Sequence, residues 1–393
     1  MKYYSHKISN GNIAVDDTIL VKDIPATAGS RILEGFKPLF SAEAVTRLQN
    51  SGYEIAGKTH VGEFSLDLVG EFSHYAEKQE DLKGAAAELV KEGEVKAALA
   101  VDINGTPRRA AALSGVNFLK STYGTVSRYG IISTAASGEC VGVYAKDSKD
   151  IAEIMSKIAG HDEKDGTSLR ETSYNYDISD DISGKKVAIV KELLDKADED
   201  VKAEVLAFAE ALKKKGAEVV EISCDLFKTA NTAWQILMSA ETCNNVSRYD
   251  GVKYGFRADK YRNIDELYTN TRTEGFNFLT KAVILYGSDV LSKNRYKDCF
   301  DKSLRIRRVC LEEANRLFES FDALLTPAVS RSHFESYDIK DAFSKVYTES
   351  EFTALANLAG FPALASSKAQ LIGKHFSESV LLSLANSVER KGE

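Results

Sequence analysis

Lys185-Lys-Val-Ala-Ile-Val190, an intervening segment over about 199–214, and Gly216-Ala-Glu-Val-Val-Glu-Ile222 form the stretch whose reading decides the fold. The apolar run Val187–Val190 predicts a strand, the segment after it reads as an amphipathic helix, Gly216 stops that helix, and Val219–Ile222 predicts a second strand. This spacing is that of one βαβ unit, whose crossover is expected to be right-handed. Toward the N-terminus, Ile19–Val21 reads as a short strand, Ala42–Asn50 as a helix ended by an Asn50-Ser-Gly turn, and Tyr53–Ala56 as a strand leading to Lys58. Toward the C-terminus, Trp234–Phe321 reads as mostly helical, interrupted by the polar, glycine-containing Arg248–Phe256. With only five prolines the chain has few forced breaks, so one compact α/β unit with a helical layer is expected.

Composition sets outer bounds. The 393 residues are 44% hydrophobic and 28% charged, as in an ordinary globular chain with a large core. The formal net charge of -7, with both signs mixed along the sequence, argues against strong direct nucleic-acid binding. No apolar run reaches the length of a bilayer span, and the first residues carry no apolar leader, so a cytoplasmic location is expected. The five cysteines (140, 224, 243, 299 and 310) lack C-x-x-C or His spacing, which reads as small buried hydrophobes in a reducing compartment, with no metal and no cofactor expected.

Several separated runs carry more information. Ile55-Ala-Gly-Lys58-Thr59, Lys120-Ser-Thr-Tyr-Gly-Thr-Val-Ser-Arg-Tyr-Gly130, Arg248-Tyr-Asp-Gly-Val-Lys-Tyr-Gly255, Leu325-Thr-Pro327 and Gln370-Leu-Ile-Gly-Lys-His-Phe376 resemble, in order, runs of the amidase signature family, and within it the amidotransferase A-subunit branch. The resemblance implies an α/β fold: one amidase-signature-like domain over residues 1–393, with a central mixed β-sheet covered by helices and shortened loops around the catalytic segment. Residues 1–14 and 386–393 are expected to be loose.

The family's reaction uses a Lys-Ser-Ser relay, in which a neutral lysine draws a proton through a bridging serine from the serine that attacks an amide. By this resemblance Lys58 sits where the base sits, at the end of an apolar strand where burial lowers a lysine pKa. The nucleophile's run corresponds to Asp102-Ile-Asn-Gly-Thr-Pro-Arg108, so Thr106 takes the serine position, with Asn104 and Gly105 beside it as substrate-binding positions. Threonine's methyl restricts χ1, Asn104 replaces a glycine, and Pro107 removes an N–H, which together argue against an intact oxyanion hole. Counting back from Thr106 puts Leu82 at the bridging position, and between His74 and Thr106 there is no serine at all.

Arg307 matches the family position that clamps a glutamine carboxylate, a role suited to a bidentate donor, and is equally read as a solvated residue of a basic helix. Asp102 and Arg108 are expected to pair as a structural clamp, and Trp234 to be core. Two readings of function follow. One is a degenerate homologue without amide hydrolysis, acting as a partner of other amidotransferase subunits or as a binder of a small amide such as glutamine. The alternative is an active glutaminase subunit, using Thr106 and Lys58, that supplies ammonia for conversion of Glu-tRNA(Gln) to Gln-tRNA(Gln).

Overall fold

The computed structural model describes residues 2–76, 84–170, 174–335 and 337–389. Among these, eleven strands form one mixed sheet in the order β1-β3-β2-β4-β6-β5-β10-β11-β9-β7-β8. The strands are β1 (Tyr4–Lys7), β2 (Ile13–Asp16), β3 (Ile55–Thr59), β4 (Ala97–Asp102), β5 (Asn117–Lys120), β6 (Cys140–Ala145), β7 (Lys186–Val190), β8 (Glu218–Ile222), β9 (Ala323–Pro327), β10 (Ala363–Ser366) and β11 (Ala369–Gly373). The helices are α1 (Glu43–Asn50), α2 (Ala85–Glu92), α3 (Thr106–Ser114), α4 (Ser148–Ile158), α5 (Lys191–Lys196), α6 (Glu199–Lys214), α7 (Leu226–Asn245), α8 (Ile264–Gly275), α9 (Phe278–Val290), α10 (Lys302–Ser320), α11 (Ala342–Glu349), α12 (Ala354–Ala359) and α13 (Glu378–Val388).

The decisive stretch folds as read: β7 and β8 pair in parallel, Val187 opposite Val219, with α6 in the crossover. The central strands β2, β4, β5 and β6 are buried along their whole length, with polar residues only at strand ends (Asp16, Asp102, Asn117 and Lys120), so they show no alternation of apolar and polar positions. Helices α2 and α3 pack together over β4 and β5, while α1, α4, α13 and α6 contact one another in series. Helices α7, α9, α10 and α12 form the expected helical layer, with Trp234 fully buried within it.

Three expectations need correction. Within the segment 1–14, β1 and the start of β2 pair with β3 from opposite sides, so this part of the chain is held by ladder hydrogen bonds. Of the segment 386–393, residues 386–388 complete α13 and the Glu389 carboxylate accepts from Ser148 N–H at 2.9 Å and Asn117 Nδ2 at 2.6 Å, while 390–393 lie outside the described residues. Ile19–Val21 forms no strand, because the chain there makes only a single bridge, Ile19 to Ile131, and the ladder belongs to Ile13–Asp16. No helix among the described residues is long and apolar enough to cross a membrane.

Candidate functional site

Strands β2, β3 and β4 run parallel, and their C-terminal ends bring Asp16, Thr59 and Asp102 to one end of the sheet. Helix α3 starts four residues beyond β4. Its first residue is Thr106, and the turn before it needs Gly105 in the left-handed region (φ +83°), where a Cβ would lie 2.3 Å from the Thr353 side chain.

Lys58 ends up with partners that its sequence context did not suggest. Its Nζ is fully buried, lies 3.0 Å from Asp17 Oδ1, and donates to the carbonyls of Asp17 (3.3 Å) and Pro25 (3.2 Å). Burial lowers its pKa, as a base lysine requires, while the charges of Asp17 and Asp16 act in the opposite direction. None of its hydrogen-bond partners is shared with Thr106.

The Thr106 hydroxyl donates to the Asp67 carbonyl at 2.7 Å and accepts from Arg109 Nη2 at 3.3 Å. Its acceptor side is set by the loop 63–67, where Phe64 (φ 54°) and Ser65 (φ 55°) both hold the left-handed region and so store backbone strain beside the site. The Gly105 N–H donates to Asp102 Oδ1 at 3.0 Å, so it is paired within the chain. Asn104 is buried and points elsewhere, its amide nitrogen 2.6 Å from Ser350 Oγ and its amide oxygen 3.2 Å from Gln235 Nε2. The bridging position, Leu82, lies outside the described residues.

Two adjacent buried arginines lock this segment. Arg108 pairs with Asp102 in a bidentate fashion, Nε to Oδ2 at 2.8 Å and Nη2 to Oδ1 at 3.2 Å, which is the expected clamp. Its remaining N–H groups reach the Thr353 carbonyl, Gln370 and Asn357, so each guanidinium nitrogen has an acceptor. Burial alone would raise the Asp102 carboxyl, but the Arg108 charge and hydrogen bonds outweigh it and its pKa lies below the ordinary value. Arg109 is also fully buried, and it directs its donors to the carbonyls of Leu68, Asn104 and Asp67 and to the hydroxyls of Thr353 and Thr106. Desolvation lowers its pKa, with Glu349 the largest charge opposing that.

A cavity of about 40 Å³ lies against Thr106 and is lined also by Asp16, Thr59 and Tyr144. Lys58, Asn104, Gly105 and Arg307 do not line it. Asp16, His60 and Tyr144 are the ionisable residues that line this space with Thr106, and the Asp16 carboxyl is pushed up to about 6 by burial against the opposing pull of its hydrogen bonds from Thr18 and Val101. Arg307 is engaged within the chain itself: Nη1 donates to Ser137 Oγ at 2.9 Å and Nη2 to the Ser137 carbonyl at 2.6 Å. Ser137 in turn donates to Glu241, at 2.8 Å from its N–H and 2.5 Å from its hydroxyl.

Sequence reading missed Asp16, Thr59 and Arg109. The signals were present as two charged pairs set against apolar runs, Asp16-Asp17 after Ile13-Ala-Val15 and Arg108-Arg109 before Ala110-Ala-Ala112. Charged pairs in that position are either exposed or buried with partners, and only the tertiary fold distinguishes these outcomes.

The amidase family profile matches residues 11–81 and 83–382. The A subunit of the glutamyl-tRNA(Gln) amidotransferase from Lachnoclostridium phytofermentans is 34% identical over 99% of this chain and 85% of its own length. Its counterpart from a Sulfurihydrogenibium species is 34% identical over 95% of this chain and 81% of its own length. Among solved structures, the A subunit of the Thermotoga maritima glutamyl-tRNA(Gln) amidotransferase superposes with a TM-score of 0.80 at 28% identity, covering 97% of this chain and 83% of that one. A 6-aminohexanoate cyclic dimer hydrolase has the same fold at a TM-score of 0.80 and 17% identity, over 97% of this chain and 84% of its own.

Proposed function

From the premise that this chain belongs to the amidase family, we propose that it acts as an A-subunit-like component of an amidotransferase complex and contributes no amide hydrolysis of its own. The first half of this reading is supported by identity to amidotransferase A subunits along nearly the whole chain. The second half is supported above all by the state of Thr106: its hydroxyl proton is committed to the Asp67 carbonyl, and the adjoining space of about 40 Å³ is far below the ~300 Å³ at which small-molecule pockets begin. An activated hydroxyl needs a base within hydrogen-bond reach, and Lys58 is ion-paired with Asp17 instead. On this reading the chain works in the cytoplasm as a non-catalytic partner of the other amidotransferase subunits.

The test is ammonia release from glutamine by the purified protein, alone and with added amidotransferase subunits, compared with Thr106→Ala. Background release in every sample is the expected result. Robust release that Thr106→Ala abolishes would overturn the proposal and favour the second reading, an active glutaminase subunit feeding Glu-tRNA(Gln) amidation. That second reading has its own support in the same identity to A subunits, and it predicts a trappable acyl group on Thr106, detectable by mass spectrometry.

A further inference from the structure

Helix α11 carries a charge pair that is not made. Lys345 and Glu349 stand four residues apart, on one face of the helix, where opposite charges ordinarily meet. No ion pair joins them here, and both line a cavity of about 240 Å³. Glu349 is only 4% exposed and accepts from the Ser330 N–H at 2.6 Å. A carboxylate has about four lone-pair sites. The Ser330 backbone and side chain use two of them, so Glu349 keeps room for a further donor.

Arg331 lines the same cavity; its Nε donates to Ser330 Oγ at 3.4 Å, and it has no ion pair among the described residues. Glu335 is the remaining charged group of the lining. Leu68, Phe334 and Tyr337 give the cavity an apolar side, the Tyr337 hydroxyl being committed to Glu71. Ser344 and Thr348 close the wall, and the Thr348 hydroxyl donates to the Ser344 carbonyl at 3.0 Å.

Charge narrows the occupant. A cation alone meets Arg331 and Lys345, and an anion alone meets Glu335 and Glu349, whereas a molecule with both charges satisfies each side. Size narrows it further. At roughly 30 Å³ per water the cavity holds the equivalent of about eight waters, which suits a ligand of about nine non-hydrogen atoms and falls below the ~300 Å³ of drug-sized pockets.

We infer that this cavity binds a free α-amino acid with an aliphatic side chain, of the size of leucine. Its ammonium lies on Glu349, its carboxylate on Lys345 and Arg331, and its side chain against Leu68, Phe334 and Tyr337. Neither Thr106 nor Arg307 lines this space, so the inference goes beyond the amidotransferase reading and does not depend on it.

The experiment is isothermal titration calorimetry of leucine into the full-length protein, with binding at one site expected. Leucinamide lacks the carboxylate and isocaproate lacks the ammonium. Each is expected to bind about tenfold more weakly or worse, the worth of one charge-assisted hydrogen bond. Glutamine is expected to lose about tenfold as well, because its side-chain amide would be buried against the apolar side. Lys345→Met and Arg331→Met replace exposed residues, so both fold, and each is expected to weaken leucine binding by about tenfold or more. Glu349→Gln is expected to do the same; if it does not fold, the two exposed variants decide. No leucine binding at millimolar concentration, equal binding of either analogue or of glutamine, or unchanged affinity in Lys345→Met and Arg331→Met overturns the assignment.

Discussion

Lys58 shows what a single residue's context conveys and what it leaves out. Its burial was legible, because an apolar strand leads into it, but its partner was not, because Asp17 comes from the end of a different strand forty-one positions away in sequence. Removing one member of a buried ion pair strands the other charge, so Lys58→Met is expected to destabilise the fold by about 3–5 kcal/mol in urea unfolding. The double variant Lys58→Met with Asp17→Asn is expected to recover part of that loss. A Lys58→Met protein as stable as the parent would remove the structural role argued for this lysine. The Asp102–Arg108 clamp, by contrast, was legible because both partners lie within one short turn.

At the level of elements, legibility followed length and locality. The β7–α6–β8 unit could be read because a long amphipathic helix separates two apolar runs, whereas β1 and β2 are four residues each and too short for a period to declare itself. The hairpin β10–β11 is a similar case. Its register, Ser366 opposite Ala369, leaves a two-residue turn at Ser367-Lys368, and Ser367 holds a positive φ of 53°. Turns of this kind favour glycine at the first central position. Ser367→Gly is therefore expected to stabilise the protein by roughly 0.5–1 kcal/mol, read as a higher Tm. Gly105→Ala has the opposite sign, because a Cβ there meets Thr353 at 2.3 Å in a left-handed conformation. A loss of about 1–3 kcal/mol is expected by chemical denaturation.

For the whole molecule, the buried carboxyls set a pH dependence that composition does not reveal. Burial pushes Asp16 up to about 6, Glu63 to about 7, and Asp67, with the Glu71 charge adding to burial, to about 8. A carboxyl whose folded pKa exceeds its unfolded value adds stability below the unfolded value and loses that contribution as pH rises through the folded one. Asp102 has the reverse shift, and its contribution is lost only in acid. The fold is thus expected to lose Tm steadily between about pH 5 and pH 8.5. The fluorescence of Trp234, the sole tryptophan and a buried one, is a convenient monitor. A Tm that instead rises across that interval would contradict the assigned shifts.

The middle of the sheet also carries a timetable. Strands β5 and β10 lie side by side, Leu119 opposite Leu364, so the chain between them must be synthesised before that seam can close. At about 5–20 residues per second, translation holds β5 without this neighbour for on the order of ten to fifty seconds. Throughout that interval a strand that is fully buried in the finished fold presents a bare edge on the nascent chain. A ribosome-bound chain stopped ahead of Ala363 is accordingly expected to be protease-sensitive through its central strands and to recruit chaperones, and release of the remaining C-terminal stretch closes the seam.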